Sequence, residues 1–159
     1  MSAPPAPPAP PASVPLPLVL DTNVVLDLLV FDDPHVRSLA QALLAGEVTA
    51  WADAETLKEL ELVLAYPSFA LDEAARRALH ERYQRLVRMA PGDPGTPPPP
   101  LPRCRDRDDQ KFLVLAARVG ASWLVSKDKR VLALAGHKQV PFDILTSRQM
   151  AERLRQRER

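Results

Sequence analysis

The run Arg103-Cys104-Arg105-Asp106-Arg107-Asp108-Asp109-Gln110-Lys111-Phe112 places three carboxylates at the mouth of a predicted helix whose apolar positions continue through Leu115 and Val119. A helix start welcomes one acid: Asp106 can accept from the first free N–H groups, and the positive end of the helix dipole favours carboxylates in the first turn. Three exceed that need. On a wheel of about 100° per residue, Asp108 and Asp109 flank Phe112 and Ala116 on the face directed toward a core. Carboxylates along such a stripe cost free energy unless a cation or a metal receives them. Two further acids follow short apolar runs: Asp21 after Leu16 to Leu20, and Asp128 after Leu124-Val125-Ser126-Lys127. A helix from about Asp53 to Ala65 offers Glu55, Glu59 or Glu61 as a fourth. Carboxylates about 4 Å apart repel by roughly 4 kcal/mol at an effective dielectric of about 20. A cluster of four therefore needs a cation, and hard oxygen ligands without His or Cys suit Mg²⁺ or Mn²⁺. Such an ion orients a phosphodiester, lowers the pKa of a bound water and stabilises a leaving oxygen. Taken singly, each acid also reads as a helix cap or a solvated face; only their common position argues for more.

The elements that must position these acids follow from periodicity. Leu16 to Leu20 is a short strand, followed by a helical run through Val24, Val25, Leu28 and Leu29. Pro34 opens a helix carrying Val36, Leu39, Ala40, Leu43 and Leu44, and Gly46 stops it. Val48 to Trp51 is a second strand, and the helix with Leu57, Leu60 and Leu64 ends before Pro67. A fourth helix is predicted from Asp72 to about Met89, burying Ala75, Leu79, Tyr83 and Leu86 and exposing Arg77, Arg85 and Arg88. Beyond the acidic run come a strand from Ser122 to Val125, a short helix from Lys129 to Ala135 and a last strand from Phe142 to Leu145. Thr146 and Gln149 form a capping box for an Arg-rich final helix. Strands alternating with helices predict a three-layer α/β/α, Rossmann-like fold around a parallel sheet of four to five short strands. Ligands of such sheets sit beyond the carboxyl ends of the strands, where Asp21 and Asp128 lie. No G-x-G-x-x-G or G-x-x-x-x-G-K-[ST] run is present, which removes the main support for dinucleotide or P-loop nucleotide binding.

The 159 residues, 46% of them hydrophobic, suit a single domain with a substantial core. Of 18 prolines, eight precede Leu18 and seven lie between Pro91 and Pro102. They mark residues 1–17 as a Pro/Ala-rich disordered tail, 91–102 as a Pro-rich loop and 18–159 as the domain. The tail lacks the charged and apolar regions of a signal peptide, and no uninterrupted apolar stretch of about 18 residues exists, so a cytoplasmic protein with no membrane span is expected. Cys104, the lone cysteine, excludes an internal disulfide and a Cys-based zinc cage. A net charge of +1, from 21 cations and 20 anions, neither supports nor excludes nucleic acid.

Four ordered motifs together resemble the PIN-domain family: Val19-Leu20-Asp21-Thr22-Asn23-Val24; Leu57-Lys58-Glu59-Leu60 with Val63, Leu64 and Pro67; Cys104 to Leu113; and Leu124 to Asp128. The likeness runs from about Leu18 to Met150 and is strongest to the branch of VapC-like ribonucleases, the toxins of type II toxin–antitoxin systems. It implies a metal-dependent ribonuclease with Asp21, Glu59, Asp109 and Asp128 as the four acids. Of these Asp21, Asp109 and Asp128 hold Mg²⁺ or Mn²⁺, Glu59 completes the shell or orients the water, and Asp108 is an outer contact. Asn23 is implied as a polar supporter, with Ser126 where Thr is usual and Arg107 where Pro is common. The apolar arc Leu57, Leu60, Leu64 by itself selects Glu61 over Glu59; the motif selects Glu59.

The expected chemistry is hydrolysis of single-stranded RNA, leaving 5′-phosphate and 3′-hydroxyl ends by family analogy, with an antitoxin protein as partner and a homodimer as the assembly. Arg103, Arg105, Arg107, Lys111, Lys127 and Lys129 stand near the acids in sequence and are candidates to grip a phosphate backbone, or equally a solvated surface balancing those acids. Two rival classes remain: a catalytically silent module that binds RNA or an antitoxin, and a phosphoryl-transfer domain with Asp21 as nucleophile. The latter expects a second acid two residues on, where Asn23 stands.

Overall fold

The computed structural model describes residues 14–92, 97 and 99–157. Most of the expected 1–17 tail and part of the 91–102 loop lie outside the described residues. Strand β1, Leu16–Leu20, begins two residues inside the expected tail. Pro17 is tolerated there because its side of the strand faces β4, Trp123–Val125, which starts only opposite Leu18; the Pro17 carbonyl accepts from the Ser122 N–H at 2.8 Å.

Around β1 lie β2 (Val48–Ala52), β3 (Val87–Met89) and β5 (Asp143–Leu145), giving the order β3-β2-β1-β4-β5 with every pairing parallel. Successive side chains of β1 enter opposite faces, as the two-residue pleat requires: Leu18 and Leu20 join one buried cluster and Val19 the other. The first cluster packs beneath α1 (Thr22–Leu26), α2 (Pro34–Leu44), α3 (Ala54–Leu64), α4 (Glu73–Leu86) and α7 (Ser147–Arg157). The second packs beneath α5 (Gln110–Arg118) and the one-turn α6 (Lys129–Leu132). This is the expected three-layer α/β/α arrangement. Thr146 and Gln149 exchange the two bonds of the predicted capping box, at 3.2 and 2.9 Å.

One expectation fails. The fourth helix stops at Leu86, and Val87–Met89 turns extended to pair with Ala50–Ala52. Without it β2 would be an edge with an unpaired row of backbone groups, and the Ala90 N–H continues the pairing by donating to the Ala52 carbonyl at 2.8 Å. Satisfying that ladder outweighs a helical period that spanned both segments. Arg88 accordingly leaves the helix face it was expected to share with Arg77 and Arg85, and of the four predicted α4 core positions only Tyr83 is fully buried.

A second departure follows α1, whose backbone widens into a π-helical turn over Asp27–Phe31 and closes on Asp32 in the left-handed region at φ 49°. Such turns are uncommon and concentrate near functional sites. Here the turn carries a buried acid, Asp27, whose carboxylate lies 3.0 Å from the Lys127 ammonium.

Candidate active site

The carboxyl ends of β1 and β4 are neighbours, and each hands the chain directly to an acid. Asp21 caps α1 by accepting from the Val24 N–H at 3.0 Å, and its own N–H donates to the Val125 carbonyl at 3.0 Å. Its other oxygen accepts from the Ser126 hydroxyl and from the Lys127 N–H, the latter at 3.2 Å. Asp21 is only 3% exposed, and burial pushes its carboxyl above the usual range despite those donors. One oxygen thus serves the helix after β1 and the other the turn after β4.

Glu59, one helix away on α3, is half-buried and equally engaged. Thr22 donates its hydroxyl to Oε2, and the Lys111 ammonium lies 2.8 Å from Oε1. Burial of Lys111 opposes its charge, but the bond to Glu59 and the negative charge around it outweigh that and raise its pKa. Glu61 is exposed and pairs with Lys58 on the same helix at 3.6 Å. The two glutamates thus part company: Glu59 faces the strand ends and Glu61 faces solvent.

A different environment surrounds the remaining acids. Gln110 draws the lead-in loop against α5, accepting from the Cys104 N–H at 2.7 Å and donating to the Pro102 carbonyl at 3.2 Å. The chain then makes a 3₁₀ turn, Arg107–Asp109, capped by Asp106, which accepts from the Asp108 N–H at 3.0 Å. Asp106, Asp109 and Asp128 each offer a carboxylate oxygen, all lying within 4.8 Å of one another. Arg130 bridges two of them, its Nη2 standing 2.9 Å from Oδ2 of Asp106 and 2.9 Å from Oδ2 of Asp128. Asp109 receives no such cation: its Oδ2 is buried without a hydrogen-bond donor among the described residues. Burial, then the charges of Asp106 and Asp128, push the Asp109 carboxyl up to about 7, and a proton kept there is shared with Asp128. The Arg130 side chain holds Asp128 down to about 2.

The sequence matches the family described as PIN domain over residues 17–130. This chain belongs to the PIN domain family. Its fold is similar to that of a chain in the crystal structure of VapBC2 from Rickettsia felis bound to a DNA fragment from their promoter, at 14% identity and a TM-score of 0.56. The likeness covers 82% of this chain and 97% of that one. No curated protein sequence matches.

Within this PIN domain, the structure brings Asp109 and Asp128 together and sets Asp21 beside them, close enough for its charge to raise Asp109 and for that of Asp128 to raise Asp21. Asp106, read from the sequence as a cap, is both a cap and a third member of the cluster. Asp108 is exposed and is not one of the three clustered acids. Asn23 is exposed too, and Thr22 is the residue of that turn which touches an acid, because the first turn of α1 directs position 22 inward. Of the six cations, Lys111 is committed to Glu59 and Lys127 to Asp27, while Arg103, Arg105, Arg107 and Lys129 are exposed. Ser126 is fully buried as the donor to Asp21 and accepts from the Asp128 N–H at 3.0 Å, so one hydroxyl couples two acids. Burial raises the Cys104 thiol, which removes it as a thiolate nucleophile at neutral pH.

Sequence reasoning missed Arg130 and Asp27. The spacing Asp128-x-Arg130 at a helix start was the available signal for the first, since an N-cap acid and an N2 arginine lie within reach of each other. Nothing local announced the second, which depends on Lys127, one hundred residues away. As for a metal, the donor set is all carboxylate, one buried oxygen lacks a donor and the local charge is unbalanced; these residues fit a hard divalent cation.

Proposed function

We propose that this PIN domain is a Mg²⁺- or Mn²⁺-dependent endoribonuclease that hydrolyses phosphodiesters of single-stranded RNA, and that it is the toxin of a toxin–antitoxin pair. One observation carries the reading: half-buried Asp109 lies against Asp106 and Asp128, with one buried oxygen for which the described protein supplies no donor. Three carboxylates held this close are a charge arrangement that folding alone disfavours and a divalent ion reverses.

In this reading Asp109 and Asp128 hold the ion, with Asp21 beside them and Glu59 completing the shell or orienting the attacking water. A divalent ion bound there supplies Lewis acidity toward the phosphodiester and a lowered pKa for water. The protein residues do the rest. Ser126 and the Lys127 N–H fix Asp21, Thr22 and Lys111 fix Glu59, and Gln110 anchors the loop that presents Asp106 and Asp109. Arg103, Arg105, Arg107 and Lys129 are exposed and near the acids in sequence, which leaves them available to meet a phosphate backbone. Asp21 as a phosphoryl-accepting nucleophile suits the geometry poorly, because it is buried and both oxygens already accept hydrogen bonds.

The antitoxin assignment rests on the resemblance to VapC-like toxins and on the fold shared with a chain of a VapBC2 complex. Among the described residues, no helix is long and apolar enough to cross a membrane. The deciding experiment is cleavage of single-stranded RNA by wild type and Asp109→Asn with Mg²⁺, Mn²⁺ or EDTA, after removal of any co-purifying partner. Metal-dependent cleavage by wild type alone is the expected result. Binding of RNA or an antitoxin with no cleavage in either metal would instead establish a silent binding module.

A further inference from the structure

We propose that Arg130 is the built-in counter-ion of the acid cluster and that a divalent cation binds in competition with it. The inference rests on the proposed metal site and concerns how that site is kept when no ion is bound.

The guanidinium makes a fork on Asp128, with Nε 3.1 Å from Oδ1 and Nη2 2.9 Å from Oδ2, and the same Nη2 reaches Oδ2 of Asp106 at 2.9 Å. Two of the three carboxylates that a cation would need are therefore already taken by one planar monovalent group. The third, Asp109, has no ion-pair partner and one buried oxygen without a donor among the described residues, so the guanidinium compensates the cluster only in part. A compact divalent ion can do what the guanidinium does not, because the ligand oxygens of all three acids lie within 4.8 Å of one another.

Coexistence is disfavoured. A guanidinium nitrogen and a metal ion that share one carboxylate oxygen are cations at close range, and the double charge of the ion doubles their repulsion. Arg130 is also easy to displace. Its side chain is 51% exposed, and it stands on a one-turn helix whose cap does not depend on the guanidinium: the backbone N–H of Arg130 donates to Asp128 Oδ1 at 2.8 Å whatever the side chain does. Lys111 and Lys127 are held by Glu59 and Asp27, so neither is poised in the same way. The result is a site whose acids stay partly compensated without metal, at the cost of weaker metal affinity.

The test uses full-length, metal-stripped protein titrated with Mn²⁺ alone and followed by electron paramagnetic resonance. Arg130→Gln is expected to bind Mn²⁺ about five- to tenfold more tightly than wild type, as befits loss of a competing two-carboxylate ion pair, with Arg130→Lys in between. In EDTA, Arg130→Gln melts below wild type, and saturating Mn²⁺ closes that gap. If wild type binds Mn²⁺ but Arg130→Gln binds it equally or more weakly, Arg130 is a clamp that organises the acids, and the inference is overturned while the metal site stands. If wild type binds no Mn²⁺ at millimolar concentration and Asp109→Asn behaves identically, the proposed metal site itself fails and the inference with it. Should Arg130→Gln fold poorly by circular dichroism, Arg130→Lys carries the same comparison, because its shorter point charge cannot fork Asp128 and bridge Asp106 together.

Discussion

Two halves of one acidic edge are neutralised in opposite ways. Asp21 and Glu59 are saturated by the protein: each of their four oxygens accepts from a named donor, and those donors come from α1, α5 and the turn after β4. Of Asp106, Asp109 and Asp128, only Asp106 and Asp128 pair with the half-exposed Arg130, and a buried oxygen of Asp109 lacks a donor among the described residues. The first half is positioned by folding and helps to hold the strand ends together. The second is held in place against its own repulsion, so whatever binds it does so with the gain of relieving that repulsion. A site built this way is rigid where it orients and unbalanced where it binds.

The largest expected effect separates the halves directly. Asp109→Asn should lose RNA cleavage by at least about 100-fold, since a metal-held carboxylate contributes several kcal/mol to the transition state. Yet in EDTA at about pH 8 it should melt above wild type, because a half-buried, repelled carboxylate becomes neutral. Asp21→Ala should also lose cleavage, but it removes a helix cap and leaves the buried Ser126 hydroxyl without its acceptor. That costs about 2–4 kcal/mol, or roughly 5–15 °C in Tm. Calorimetry of the two variants decides it: equal destabilisation would mean that the halves are alike.

Acid–base behaviour provides the next test. The folded Asp109 pKa is raised to about 7, so between about pH 4 and that value the folded protein retains a proton that the unfolded chain releases. Stability from this group is therefore present at the acid end and lost as pH rises through the window. Asp128 works in the opposite sense: its pKa is lowered to about 2, so its contribution disappears as pH falls from about 4 toward that value. The difference in Tm between Asp109→Asn and metal-free wild type should thus be near zero below about pH 4, grow steadily through the window to several degrees, and level off above about pH 7. Saturating Mn²⁺ should reverse it. A difference independent of pH would show that Asp109 is not perturbed by its neighbours.

Strands β1 and β4 and the placing of Asp21 and Asp128 directly after them were legible from the sequence because both depend on local signals. Leu18, Val19 and Leu20 announce a strand buried on both faces, and an acid directly after a parallel strand points to the ligand-binding edge. What was not legible depends on partners distant in sequence. Val87–Met89 is extended because β2 needs a neighbour, and a helical period over Asp72 to Met89 carries no trace of that need. Asp27 is tolerated in the core because Lys127 reaches it. Glu59 is turned inward by Thr22 and Lys111, although the Leu57, Leu60, Leu64 arc favours Glu61. Replacing each glutamate by alanine tests that last point: Glu59→Ala should reduce cleavage about 10- to 100-fold, and Glu61→Ala less than about twofold. Loss with Glu61→Ala alone would restore the periodicity-based choice.

The smallest effects concern the cations, and they extend the same contrast beyond the acids. A lysine already committed to a carboxylate of the protein releases no counterion when RNA binds, whereas an exposed, unpaired one does. Lys129→Ala should therefore flatten the dependence of RNA affinity on salt by about 0.7 in slope, the value for one phosphate contact on a single strand. Lys111→Met, which breaks the pair with Glu59, should leave that slope unchanged while lowering cleavage, because its ammonium orients an acid and touches no phosphate. RNA-binding titrations over a range of KCl concentrations, in EDTA to prevent turnover, separate the two. An equal loss of slope in both variants would mean that the Lys111–Glu59 pair opens on binding, and the half of the site that folding saturates would then be as responsive to its ligand as the half that folding leaves unbalanced.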